Sequence, residues 1–168
     1  MKPSLAAGIT RTARLVVDRE RTIDFMGENA RVYATPMLVR DVEVACRELL
    51  LAHLDDGEDS VGTRVELDHT SPTLCGMAVG ITVTAVEVKG RAVTFTVEGR
   101  DALDTICRGK HHRFVVDVAA TKARLAAKAE KAEKAEKKPA KAKKAEAEAA
   151  PEATAEEAPA AEAEQTEG

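Results

Sequence analysis

Residues 35–54 read TPMLVRDVEVACRELLLAHL, and this stretch decides the fold. Thr35-Pro36 sets a hydroxyl before a proline, which predicts an N-cap at Thr35 and Pro36 at the first helical position, where a missing N–H costs nothing. Good helix formers run from Met37 to Leu54, and Asp55-Asp56-Gly57 ends the helix. Leu38, Val42, Ala45 and Leu49 make one apolar row, while Val39, Cys46 and Leu50 make the next, interrupted by Glu43. So wide a stripe predicts a mostly buried helix.

Downstream the period changes to two. Val61, Thr63, Val65, Leu67 and His69 alternate with Gly62, Arg64, Glu66, Asp68 and Thr70, predicting a half-buried strand whose first set, His69 included, faces the helix. Met77, Val79, Ile81 and Val83 repeat the alternation, Lys89-Gly90 marks a tight hairpin, and Val93, Phe95 and Val97 resume it. A last strand spans about Ile106 to Val118. Upstream, Thr10 to Asp18 suits a strand and Arg19 to Arg31 a loop with one short turn. Strand, loop, helix and then four closely linked strands favour an antiparallel sheet over a βαβ arrangement, so the class is α+β. One long apolar helix beside five strands is buried most economically if the sheet wraps around it, the hotdog arrangement.

The composition divides at residue 121. Residues 122–168 hold 18 Ala, 10 Lys or Arg and 11 Glu, with Leu125 as the one large apolar side chain, so they cannot bury a core. They read as a disordered or partly helical low-complexity tail: AEKAEKAEK spacing favours helix from Val118 to Lys138, and Pro139, Pro151 and Pro159 break anything longer. Its charge is segregated, since residues 122–144 carry 10 bases and 3 acids whereas 145–168 carry 8 Glu and no base. Residues 1–121 form one domain holding all three Phe and the single Tyr. The net charge of −4 exerts no global pull on nucleic acid or anionic membrane. No apolar run is long enough to span a bilayer and no secretory signal is evident, so a cytoplasmic location is expected. Cys46, Cys75 and Cys107 are odd in number and lack a CxxC pair, signalling neither a disulfide framework nor a zinc site.

Several residues ask for a chemical reason. A carboxylate on an apolar stripe is costly unless paired or used, so Glu43 is either an ion-pair partner of Arg40 or Arg47 or a working group. His69 is either a satisfied core histidine or a proton carrier. Thr35 is explained by capping, Gly62 by a bulge or close backbone approach, and Arg113 by solvation, each with a functional alternative. His111 and His112 are adjacent on a strand and point to opposite faces, so they do not share a metal; no metal is assigned. Cys46 reads as a small buried apolar residue, and no phosphate-cradling glycine loop is present.

Taken together, a carboxylate, an imidazole, a hydroxyl and an exposed backbone N–H are what thioester hydrolysis requires: an activated water or nucleophile, a proton carrier and oxyanion donors. The runs VYATPMLVRDVEVACRELL (32–50), GEDSVGTRVELDHTSPT (57–73) and RGKHHRFVV (108–116) resemble the fluoroacetyl-CoA thioesterase-like family of hotdog thioesterases across about residues 8–120. The resemblance implies that Thr35, Glu43 and His69 are catalytic. It also implies that Gly62 contacts the acyl-CoA through its backbone, that Arg113 belongs to the active-site region, and that the site lies between the protomers of a homodimer. No cofactor is implied beyond the coenzyme A of the substrate. Where the fluoroacetyl-specific member closes its site with phenylalanines upstream of the threonine, this chain has Met26 and Asn29, with Phe25 nearby. The sequence thus predicts hydrolysis of a short or modified acyl-CoA. The alternative is a non-catalytic hotdog module whose Lys-rich tail binds an anionic partner, such as nucleic acid or an acidic protein surface.

Overall fold

The apolar rows of the long helix need a covering surface, and the sheet supplies it. The computed structural model describes the backbone of residues 1–148 and the side chains of residues 1–136. Helix α1 (Thr35–Leu51) buries Leu38, Val42, Ala45, Cys46, Leu49 and Leu50. Strands β1 (Thr10–Val16), β2 (Glu58–His69), β3 (Ala78–Lys89), β4 (Ala92–Arg100) and β5 (Thr105–Asp117) form one antiparallel sheet in the order β1-β3-β4-β5-β2. Val79, Ile81, Val83, Val93, Phe95, Val97, Ile106 and Val115 meet α1 in one core. Burying a side chain the size of Phe95 contributes about 1.5–3 kcal/mol. The class is α+β and the arrangement is the hotdog expected from the sequence. Its β3–β4 hairpin turns through Gly90 and Arg91, and the φ of +56° at Gly90 is one that glycine adopts without strain.

The start of α1 departs from expectation. Ala34 is the N-cap, its carbonyl accepting the N–H groups of Met37 and Leu38 at 3.0 Å, so Thr35 is the first helical residue and Pro36 the second. Thr35 does not cap the helix, and its hydroxyl is left for another partner. The C-terminal end falls at Leu51 rather than Leu54, although Leu54 remains buried.

The second departure is in β2. Gly62 lies opposite Arg113 and Arg64 opposite His112, so Thr63 is an extra, bulged residue. One inserted residue reverses which side chains face the core. Ser60 is therefore buried and Gly62 abuts α1, while past the bulge Leu67 and His69 are half-buried. Val61 and Thr63, expected on the helix-facing side with His69, are exposed. The reversal brings Gly62 and His69 to the same face, which strict alternation cannot do.

The chain divides into two units, Met1–Arg124 and Leu125–Gly168. Helix α2 (Val118–Glu148) begins where Asp117 Oδ1 accepts the N–H of Ala120 at 2.7 Å. Its backbone stays helical through Pro139, so that proline does not end the helix as expected. Pro151 and Pro159 lie outside the described residues.

Two glycines make a matched test of the packing. A Cβ on Gly109 would lie 2.0 Å from the backbone oxygen of Glu66, whereas one on Gly80 would meet only Thr12 Cγ2 at 3.6 Å. Gly109→Ala should lower stability in urea by roughly 1–3 kcal/mol or more. Gly80→Ala should be neutral or add about 0.4–1 kcal/mol through the unfolded chain.

Candidate active site

Because Ala34 caps α1, the Thr35 hydroxyl turns to β2, where Oγ1 lies 3.0 Å from His69 Nδ1. This pair borders an open cleft of about 430 Å³ whose lining includes Ile23, Phe25, Val32 and Tyr33. The Tyr33 ring meets the His69 ring edge-on, with centroids 6.3 Å apart. His69 Nε2 is buried and makes no hydrogen bond among the described residues, the single such side-chain atom there. Burial pushes the His69 pKa below the ordinary histidine value, opposed in part by the backbone of Ser71. The ring is therefore neutral near pH 7.

A second cluster forms around Glu43, about two turns further along α1. The missing Cβ of Gly62 makes room for the carboxylate: a Cβ there would sit 3.1 Å from Glu43 Oε1. Arg113, from β5, lies 3.8 Å from Glu43 Oε2 and donates from Nη1 to the Glu43 carbonyl at 3.3 Å. The guanidinium is buried, and it also donates to Ser60 Oγ (2.9 Å) and the Ser60 carbonyl (2.7 Å). Neither expected ion pair holds Glu43, because Arg47 is taken by Asp59 at 2.5–2.8 Å and Arg40 approaches Asp41. Arg113, expected as a solvated side chain in its simplest reading, is only 4% exposed.

The five sequence-derived residues thus fall into two groups, Thr35 with His69, and Glu43 with Gly62 and Arg113. Along α1 the two are about 12 Å apart at 1.5 Å per residue. Along β2 they are about 20 Å apart at 3.3 Å per residue.

One site-bordering cluster escaped sequence reasoning. Asp41 is 7% exposed and accepts hydrogen bonds from Tyr33 Oη (2.6 Å) and Arg21 Nε (2.9 Å). Asp41 lies one residue off the apolar rows, so the signal was a buried-face carboxylate two positions from Glu43 with Tyr33 eight residues upstream. Its effect is to pin Tyr33 against His69 and to tie the segment carrying Ile23 and Phe25 to α1. Of Phe25, Met26 and Asn29, only Phe25 lines the cleft.

The remaining candidates do little. Burial pushes the Cys46 thiol up to about 12 and the Cys107 thiol up to about 11, which makes both inert nucleophiles. All three cysteines are free. Among the described residues no cluster of His, Cys, Asp and Glu is arranged to hold a metal. No described helix is long and apolar enough to cross a membrane.

The fold is that of the hotdog thioesterases. The model of the fluoroacetyl-CoA-specific thioesterase family matches residues 17–119, and the chain belongs to this family of thioester hydrolases. It is 30% identical over 135 residues to the fluoroacetyl-CoA thioesterase of Streptantibioticus cattleyicolor, covering 76% of this chain and 97% of that one. A crystal structure of a point mutant of the fluoroacetyl-CoA-specific thioesterase FlK superposes with a TM-score of 0.70 at 29% identity, over 76% of this chain and 99% of that one. A thioesterase superfamily member from Thermus thermophilus gives 0.71 at 28%, over 78% and 98%.

The depressed histidines set a pH dependence. His69 and His111 both have folded pKa values below the unfolded value of 6.5. On acidification through that value the unfolded chain takes up protons that the folded chain refuses, so stability falls as pH falls. The urea midpoint should be lower at pH 5.5 than at pH 7.5, and equal midpoints would contradict the neutral, buried state of the two rings.

Proposed function

We propose that this chain hydrolyses a short or modified acyl-CoA thioester with water, as a homodimer in which each site is assembled from two protomers. The carrying observation is the division of the machinery into two groups on α1 and β2. β2 is an edge strand of 12 residues, with Val61 45% and Val65 39% exposed. An antiparallel second β2 centred near Val65 places Gly62 opposite the partner's His69. The same two-fold axis, passing near Val39, places Thr35 opposite the partner's Glu43. Both groups are then reunited, and the edge is covered.

In that site His69 carries the proton, passed through Nδ1 and the Thr35 hydroxyl 3.0 Å from it, while the buried Nε2 stays on the protein side of the ring. The partner's Glu43 activates water as general base or attacks the acyl carbon itself, and the partner's Gly62 N–H stabilises the oxyanion. Arg113 fixes the carboxylate from behind. Phe25 and the pinned Tyr33 give the acyl group an apolar wall; fluoroacetyl-CoA, the substrate in the names of the relatives, belongs at the head of the panel to be tested.

Glu43→Gln retains volume and folding and should lower kcat by roughly 10² or more. Mixing separately inactive Thr35→Ala and Glu43→Gln proteins under subunit exchange should restore roughly a quarter of wild-type activity, because half the dimers are mixed and each carries one intact site. No recovery, with exchange verified by mass, places Thr35 and Glu43 in one protomer. Wild-type turnover by Glu43→Gln removes the catalytic assignment. If no acyl-CoA is hydrolysed, and the protein instead binds polyanion in a salt-dependent way that is lost on removing residues 122–168, the binding-module reading replaces this one.

A further inference from the structure

His111 is 1% exposed, titratable and absent from the chemistry above. Both of its ring nitrogens are committed. Nδ1 lies 2.9 Å from the backbone oxygen of Arg64, which can only accept, so Nδ1 carries the proton. Nε2 lies 3.2 Å from Arg113 Nη1, which can only donate, so Nε2 is the acceptor. The contacts therefore fix one neutral tautomer. Each bond ends on something the site uses. The Arg64 carbonyl closes the β2 bulge next to Gly62, and Arg113 Nη1 is the atom that reaches the Glu43 backbone and carboxylate. The ring also fills space beside Gly62, with Cε1 3.2 Å from where a Cβ would stand.

We propose that His111 is a positioning residue of the thioesterase site: its bond to the bulge carbonyl sets the ring, and by accepting from Arg113 the ring holds the guanidinium behind Glu43. The proposal rests on the thioesterase reading of that site. The charged groups facing the ring are Arg113 from β5 and Glu43 from α1, with the titratable His112 on the opposite face of β5, while β2 presents the Arg64 carbonyl. Burial and the Arg113 cation disfavour the imidazolium, and protonation would abolish the Nε2 acceptor while setting a second cation against Arg113. Such a ring keeps its place at neutral pH and fails on acidification.

Two amides separate its two bonds. In His111→Asn the amide nitrogen occupies the Nδ1 position and keeps the bulge bond, losing the Arg113 acceptor. In His111→Gln the amide oxygen reaches the Nε2 position and keeps the Arg113 acceptor. Displacing the site's donors by a fraction of an ångström is expected to lower kcat of the Asn variant about 10- to 100-fold, with KM within about 3-fold of wild type. The Gln variant should recover kcat to within about 3-fold at the same thermal stability as the Asn variant. Long-range ¹H–¹⁵N spectra of the unliganded wild type, with His111 assigned by its loss in the variants, should show the neutral Nδ1–H tautomer at pH 7 and its persistence below pH 6.5. Wild-type kcat in His111→Asn, or kcat losses in both variants that merely follow their melting temperatures, overturns the proposal. An Nε2–H tautomer or an imidazolium at pH 7 does the same. A wild type without activity on any acyl-CoA removes the thioesterase reading instead, an outcome distinct from the tautomer, which is read without substrate.

Discussion

The buried guanidinium of Arg113 is the constraint around which this domain is arranged. A cation taken out of water costs several kcal/mol unless its donors are satisfied. Here they end on Ser60 Oγ, the Ser60 carbonyl, the Glu43 carbonyl and His111 Nε2, with the Glu43 carboxylate 3.8 Å away. Those partners belong to β2, α1 and β5. One side chain therefore fixes the distance from the helix to the sheet edge at the level of Glu43. Ser60 has to face inward for this to work, and Gly62, two residues on, faces inward with it. The bulge at Thr63 then returns the strand to the phase that turns His69 toward Thr35.

That bulge is also where sequence and structure part. The alternation over Val61–Thr70 identified a strand and placed His69 on the helix side correctly, yet it set Val61 there too and Gly62 on the far face. Periodicity assumes one residue per rung, and although Gly62 pointed to a bulge or a close approach, and both are found there, nothing marked the ordinary Thr63 as the inserted residue. The helix was legible because Leu38, Val42, Ala45 and Leu49 repeat at 3.6 residues with no competing pattern. Its first residue was not, since Ala34 capping through its backbone alone leaves no side-chain signature and Thr35-Pro36 looks like a standard start. Thr35 being one residue inside the helix is what frees its hydroxyl for His69.

The candidate site residues stood out in the sequence as types and as spacings, and less so as contacts. Glu43 stood out because it breaks an apolar row, but the nearby Arg40 and Arg47 on the same helix suggested partners that the fold assigns elsewhere. Its true neighbour, Arg113, is 70 residues away, and only the β2–β5 register brings it there. Asp41 went unnoticed for the opposite reason. It lies beside the row instead of within it, and its partners Arg21 and Tyr33 come from an irregular segment whose conformation no periodicity encodes.

The two sheet edges differ in a way that bears on where a second copy can sit. β1 is 7 residues long, its threonines pair across to Thr82 and Thr84, and Arg11 ties its rim to Glu48 of α1 at 2.6 Å. A short, charged and tethered edge is poorly suited to strand addition. β2 offers nearly twice the length and two half-exposed valines at the positions a two-fold axis would bury. It is also the strand that carries Gly62 at one end of its helix-facing side and His69 at the other. In the proposed dimer, covering this edge and reuniting the two groups are achieved by the same contact. A substitution that weakens strand addition at Val65 would then separate Glu43 from His69 without touching either.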